Sequence, residues 1–155
     1  PPTAEYLNEL KRVSKNQIIW GANHFLGWCS SCWIVWDKNN GDIDFADCEL
    51  AFTSFNSAVR KFKFTWNGML QQDMKNKEQR IHPTQKPVAL YDWIYKNYLP
   101  EGGKVIDTHL GSGSNRIAAD KAGNIDFTAY ELDKDYFEAQ EKRWSNYKAQ
   151  LKMFV

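Results

Sequence analysis

Cysteine is scarce in this chain, with three residues in 155, and an odd count argues against the paired framework of a small secreted domain. Cys29-Ser-Ser-Cys32 has the spacing of a zinc knuckle or a redox pair. A structural zinc site needs four ligands, however, and no second pair follows; Cys48 and His24 would complete a set only by an accident of folding. A thioredoxin-like role wants a helix start beside the pair, whereas Cys32 leads into the strand-like Trp33-Ile34-Val35-Trp36. The thiols are therefore read as free and no metal is expected. Long apolar runs are missing too. None approaches the roughly 20 residues that cross a bilayer, and no basic segment followed by an apolar one opens the chain. A soluble, cytoplasmic protein without a membrane partner is expected. Nor does one charge dominate: 20 Lys and Arg against 19 Asp and Glu leave a net charge of +1, so any affinity for nucleic acid must come from local patches and shape.

What is present suffices for one sizeable core, since 43% of the residues are hydrophobic, and a single domain over 1–155 is the expectation. Thr3 reads as the cap of a helix ending near Val13. Gln17–Trp20 and Cys32–Trp36, rich in β-branched and aromatic residues, read as buried strands, and Cys48–Phe55 as a third. Arg60–Trp66 is basic and aromatic, and the polar segment from Asn67 to Arg80, with Gly68, reads as a loop. A helix is predicted from Val88 to about Leu99. Lys104–Asp107 then reads as a strand, Asn115–Ala122 as a helix closed by Gly123, Phe127–Glu131 as a strand, and Asp135–Leu151 as a long charged helix. This alternation predicts parallel pairing with right-handed crossovers.

The chemistry concentrates where a strand ends in an acid and runs into Leu110-Gly111-Ser112-Gly113-Ser114. Glycines without Cβ atoms allow a tight turn and close approach of a ligand to the backbone, as nucleotide-like cofactors require. The dinucleotide fingerprint wants a third glycine where Arg116 stands, and a phosphate-binding P-loop wants Gly-Lys-Ser/Thr, which is missing. By spacing alone the turn is equally well a plain strand-to-helix connection. Glu131 lies about 20 residues further on, at the predicted end of the next strand, where a carboxylate can accept two hydrogen bonds from ribose hydroxyls; a solvated strand-end acid is the alternative.

Asp107-Thr108-His109-Leu110-Gly111-Ser112-Gly113-Ser114 resembles the S-adenosylmethionine motif of the N4-cytosine and N6-adenine DNA methyltransferases, Asp-x-Phe-x-Gly-Ser-Gly-Thr. His82-Pro83-Thr84-Gln85-Lys86-Pro87 resembles the segment that precedes it in the permuted β-group of that family, and the two motifs in this order are far more specific than either alone. Val13–Gly21 and Trp33–Lys38 are similar to middle strands of phage-type and bacterial members. The resemblance implies an α/β three-layer sandwich, a Rossmann-like, circularly permuted S-adenosylmethionine-dependent methyltransferase, with strands from the two halves of the chain meeting at the cofactor cleft. It implies S-adenosylmethionine as cofactor, DNA as partner, and a homodimer as an admissible assembly. Asp107, Leu110, Gly111, Ser112 and Gly113 would line the methionine and ribose side of the cofactor, with Ser114 in the Thr position and Glu131 on the ribose. Thr84, Gln85 and Lys86 would close over the methionine end. His109 replaces the usual Phe, either as a cofactor contact or as a packed strand-end histidine.

The family's catalytic signature, Asp/Asn/Ser-Pro-Pro-Tyr/Phe, does not occur in these residues. It holds the target amino group and stacks on a flipped base. Pro1-Pro2-Thr3 does not supply it, because Thr3 stands where the aromatic belongs. The resemblance places the signature upstream of the first helix, so a domain incomplete at its N-terminus is expected. Positions 56–81 occupy the place of a short target-recognition excursion. There Arg60, Lys61, Lys63, Lys75, Lys77 and Arg80, interleaved with Phe62, Phe64 and Trp66, would meet DNA; a solvated strand with an apolar inner face explains the same alternation. Transfer of a methyl group to adenine N6 is the expected activity, with cytosine N4 methylation or an inactive cofactor-binding relative as alternatives.

Overall fold

The computed structural model describes residues 1–25, 27–41, 43–67 and 70–152. It divides into two compact units, Pro1–Lys75 and Asn76–Val155.

The first unit opens with helix α1, Ala4–Val13, where Thr3 Oγ1 accepts the Tyr6 N–H and Glu5 stands in the positive first turn. A four-stranded sheet follows, in the order β1 (Ile18–Trp20), β3 (Cys48–Thr53), β2 (Trp33–Asp37), β4 (Arg60–Lys63). β3 is antiparallel to β1 and β2, and β4 runs parallel to β2 at the edge. The register sets Ile34 opposite Ala51, and both are fully buried together with Trp36 two residues along β2. Fully burying a side chain such as Ile34 contributes roughly 1.5–3 kcal/mol. Neither β1 nor β2 is the uniformly buried strand expected: β1 is half-buried throughout and β2 alternates. Alternation is what a sheet with one inward face demands, and Trp33 and Val35 occupy the other face. The basic Arg60–Trp66 stretch supplies β4 and, with β5 (Trp66–Asn67) and β6 (Leu70–Gln71), a short hairpin inside what reads as loop; Gly68 lies outside the described residues. Cys29 is exposed and Cys32 buried.

The second unit carries α2 (Val88–Tyr98), β7 (Gly103–Asp107), α3 (Ser114–Ala122), β8 (Ile125–Ala129) and α4 (Lys134–Lys152). β7 and β8 pair in parallel from Gly103 opposite Ile125 to Asp107 opposite Ala129, as the strand–helix–strand order predicts. Its core gathers Val88 and Tyr95 of α2 with Ile117, Ala118 and Ala119 of α3, and Val105, Ile125, Phe127 and Trp144 pack against them. β8 stops two residues short of Glu131, which sits in the following loop rather than at the strand end. The cause is its partner: beyond Asp107 the chain turns into the glycine loop, and no ladder remains for Glu131 to join.

Candidate cofactor site

The glycine turn leaves β7 at Asp107 and enters α3 at Ser114. Gly111 and Gly113 both take positive φ, at 54° and 73°, a region closed to most residues with a Cβ. Gly113 also lies against α4, where a Cβ would stand 3.1 Å from Oε1 of Gln140. The position where a dinucleotide site would carry its third glycine instead anchors the same helix. The Arg116 guanidinium donates to Gln140 and Glu141 and lies 4.2 Å from the ring centre of Trp144.

Glu131 is tied to this turn. One carboxylate oxygen accepts the Gly111 N–H at 2.7 Å and the other the Asp133 N–H at 3.0 Å. Leu110 N–H donates to the Tyr130 carbonyl at 2.9 Å, so the two loop segments run together. Asp107 is held on both oxygens, by the His109 N–H at 3.0 Å and the Asn115 amide at 2.7 Å. Asn115 accepts in turn from the Tyr95 hydroxyl at 2.6 Å; burial first, then Asp107 and Asp92, push that phenol well above its ordinary range. Sequence reasoning passed over Asn115 and Tyr95, although a polar residue in the first turn of a helix that follows a glycine turn was a readable signal.

The His82–Pro87 segment lies on the same turn. The His82 ring is 3.7 Å from where a Gly111 Cβ would be, and its centre is 4.2 Å from that of Tyr136. Burial holds the His82 pKa below its usual value, against the pull of Glu131, with Lys86 adding to the depression. Its Nδ1 accepts from the Thr84 N–H at 3.2 Å, which keeps that nitrogen unprotonated. His82 belongs to the motif read from sequence but was not counted as a site residue. Gln85 is buried and engaged with its own segment, its amide donating to the Gln79 carbonyl and accepting from the Ile81 N–H. Lys86 is half-buried and Thr84 exposed.

Ser112 and Ser114 are buried, their hydroxyls 3.1 Å apart. Arg143 of α4 donates to the Ser112 carbonyl at 2.8 Å and the Ser114 hydroxyl at 2.9 Å. These serines thus face the protein, and the ligand-facing capacity of the turn rests in its backbone. α3 begins at Gly113 without a side-chain cap, so its first-turn N–H groups are available to an anionic group. His109 is exposed, with Nδ1 3.0 Å from the Thr108 hydroxyl, and Leu110 is buried. Tyr130 and Leu132, on either side of Glu131, expose their apolar surface.

The expected DNA-contacting cations divide between the units. Arg60, Lys61 and Lys63 are exposed on the edge strand β4, and Lys75 ends the first unit, whereas Lys77 and Arg80 belong to the second. Lys61 pairs with Asp37 at 3.5 Å. With Lys63 it borders an open hollow of about 730 Å³ whose other walls include Asp37, Asp44 and Asp47. Phe62 and Phe64 stack with centres 5.6 Å apart. Arg80 donates to the Pro83 carbonyl at 2.9 Å, which ties it to the His82 segment.

Residues 6–142 match the model of a family described as DNA methylase, of the N6/N4 methyltransferase type. The chain belongs to this DNA methylase family. It is similar to the type II methyltransferase M2.DpnII of Streptococcus pneumoniae, with 31% identity over 84 residues, 54% of this chain and 31% of that protein. Type II methyltransferase M.HpaI of Haemophilus parainfluenzae is 35% identical over 68 residues, 44% of this chain and 21% of that protein. The match therefore spans a third or less of the length of these type II methyltransferases. In fold, the chain is similar to the crystal structure of an M1.HpyAVI–SAM complex, with a TM-score of 0.65 and 23% identity over 92% of this chain and 84% of that one. The chain has the α/β fold expected from its sequence. Among the described residues, no helix is long and apolar enough to cross a membrane, and no group of three or more metal-ligating side chains is found.

Proposed function

We propose that the protein acts in the cytoplasm as a DNA methyltransferase, transferring a methyl group from S-adenosylmethionine to an exocyclic base amino group. The observation that carries this reading is the pinned glycine turn. In a DNA methylase family member, a positive-φ turn is held by Glu131 and packed under His82, which opens a strap, His82–Pro87, that precedes the turn in the chain. The donor set fits the cofactor. Uncapped N–H groups at the start of α3 suit the carboxylate of its methionine, Asp107 suits the ammonium, and Glu131 keeps lone pairs for the ribose hydroxyls. Leu132 offers an exposed apolar face for the adenine. When bound, the cofactor supplies a methyl group made electrophilic by its sulfonium; the residues described here bind it, orient it and exclude water from it.

The target nitrogen is proposed to be adenine N6, with cytosine N4 as the alternative. Arg60, Lys61, Lys63, Lys75, Lys77 and Arg80 are proposed to hold DNA phosphates, the excursion at 56–81 contributing to target choice. Titration calorimetry of the chain with S-adenosylmethionine is expected to give saturable binding, competed by S-adenosylhomocysteine and weakened about tenfold in Glu131→Gln, the weight of one charge-assisted interaction. Heat of dilution alone would remove the reading. Nucleoside analysis of duplex DNA treated with the protein then separates N6-methyladenine from N4-methylcytosine. Binding without either product would instead favour a cofactor-binding regulatory module.

A further inference from the structure

Glu78 and Arg143 form an ion pair that the proposed reaction does not use. Nη2 of Arg143 lies 2.6 Å from a Glu78 carboxylate oxygen, and the side chains keep only 14% and 22% of their exposure, Arg143 the less. The same guanidinium spends Nη1 on the Ser112 carbonyl and the Ser114 hydroxyl. The other Glu78 oxygen accepts the Val88 N–H at 3.0 Å. One fork of charge thus joins the glycine turn, the middle of α4, and the strap on both sides of His82–Pro87, by Glu78 before it and Val88 after it.

A pair so placed is a poor device for stability alone, because withdrawing both charges from water offsets most of what their attraction returns. What a planar guanidinium adds is geometry, since its donors diverge at fixed angles and hold several acceptors at set distances. Here those acceptors belong to two segments far apart in sequence that meet at one turn. We infer that Glu78 and Arg143 are positioning residues for the cofactor, fixing the strap at a set height above the glycine turn. The inference rests on the reading of that turn as the S-adenosylmethionine site. They act through Ser112, Ser114 and Val88 rather than on the ligand. Lysine at 143 would keep the charge but has no fork, so it cannot serve Glu78 and both turn acceptors together.

The test is titration of the chain with S-adenosylmethionine for wild type, Arg143→Lys, Glu78→Gln, the double variant and Ser114→Ala, with melting curves recorded in parallel. Among variants that remain folded by circular dichroism, Arg143→Lys and Glu78→Gln are each expected to weaken binding by roughly tenfold. The double variant is expected to lose no more than either alone, because the two act as a unit. Ser114→Ala removes one acceptor without touching the pair, should the charged variants fail to fold, and is expected to bind about threefold more weakly. Lower melting temperatures with unchanged affinity would reduce the pair to a structural one and overturn the inference, as would multiplicative losses in the double variant or wild-type affinity in Ser114→Ala. A wild type that fails to bind at all would overturn the reading of the turn, and this inference with it.

Discussion

His82 shows how much one side chain settles at this site. Its ring faces Gly111 and Tyr136, with Glu131, Asp133 and Lys86 close enough to act on its charge. Burial lowers its pKa from the ordinary 6.5. The folded state therefore prefers the neutral ring, and the stability this contributes is present above pH 6.5 and lost as pH falls through the lowered value. His82→Asn keeps an acceptor near the Nδ1 position and does not titrate. The melting temperature of wild type is expected to fall more steeply than that of the variant below pH 6.5; parallel curves would show that His82 does not sense protons. Asn115 allows a second test. Its removal leaves the buried Tyr95 hydroxyl and one Asp107 oxygen unpartnered, so Asn115→Ala is expected to cost about 1–3 kcal/mol in denaturant unfolding, part of it recovered by Tyr95→Phe.

Among the elements, α3 is the most exposed to change at its start. Gly113→Ala meets a left-handed backbone costing roughly 1–2 kcal/mol and a contact with Gln140 at 3.1 Å. A lower melting temperature and weaker cofactor binding are expected, and an unchanged protein would refute the packing described. Thr3→Ala at the head of α1 is expected to cost about 1 kcal/mol, read from the same curves. The helices were legible in sequence because glycine, proline and the apolar period mark their ends: Gly123 closes α3, and Pro87 precedes α2. The end of β8 was not legible, since it depends on where β7 turns away, a fact about the partner strand. Nor was the β5–β6 hairpin, whose strands are two residues each and carry no periodicity to read.

At the scale of the molecule, the run from Asp107 to Ser114 is legible because its residues are consecutive, and His82 and Glu131 reach it at Gly111 from segments that sequence motifs had already marked. Glu78 and Arg143 stand 65 positions apart, and no local pattern pairs them. The cations proposed to hold DNA are divided between two units, so they are best tested singly. Arg60→Glu and Lys63→Glu are each expected to weaken duplex binding and reduce its salt dependence by about one phosphate contact. Lys61→Glu should do less, because Asp37 already holds that lysine. Cofactor affinity is expected to stay constant across the three, and salt slopes equal to wild type would remove β4 from the interface.

The turn between Asp107 and Ser114 is fastened at Gly111 by Glu131 and at Ser112 and Ser114 by Arg143. A small molecule settling there meets amide groups whose directions are already decided, and the disorder surrendered on arrival is chiefly its own. Sequence drift should therefore be freer at exposed positions beside the turn, such as His109, than at Glu131 and Arg143, which keep its backbone still.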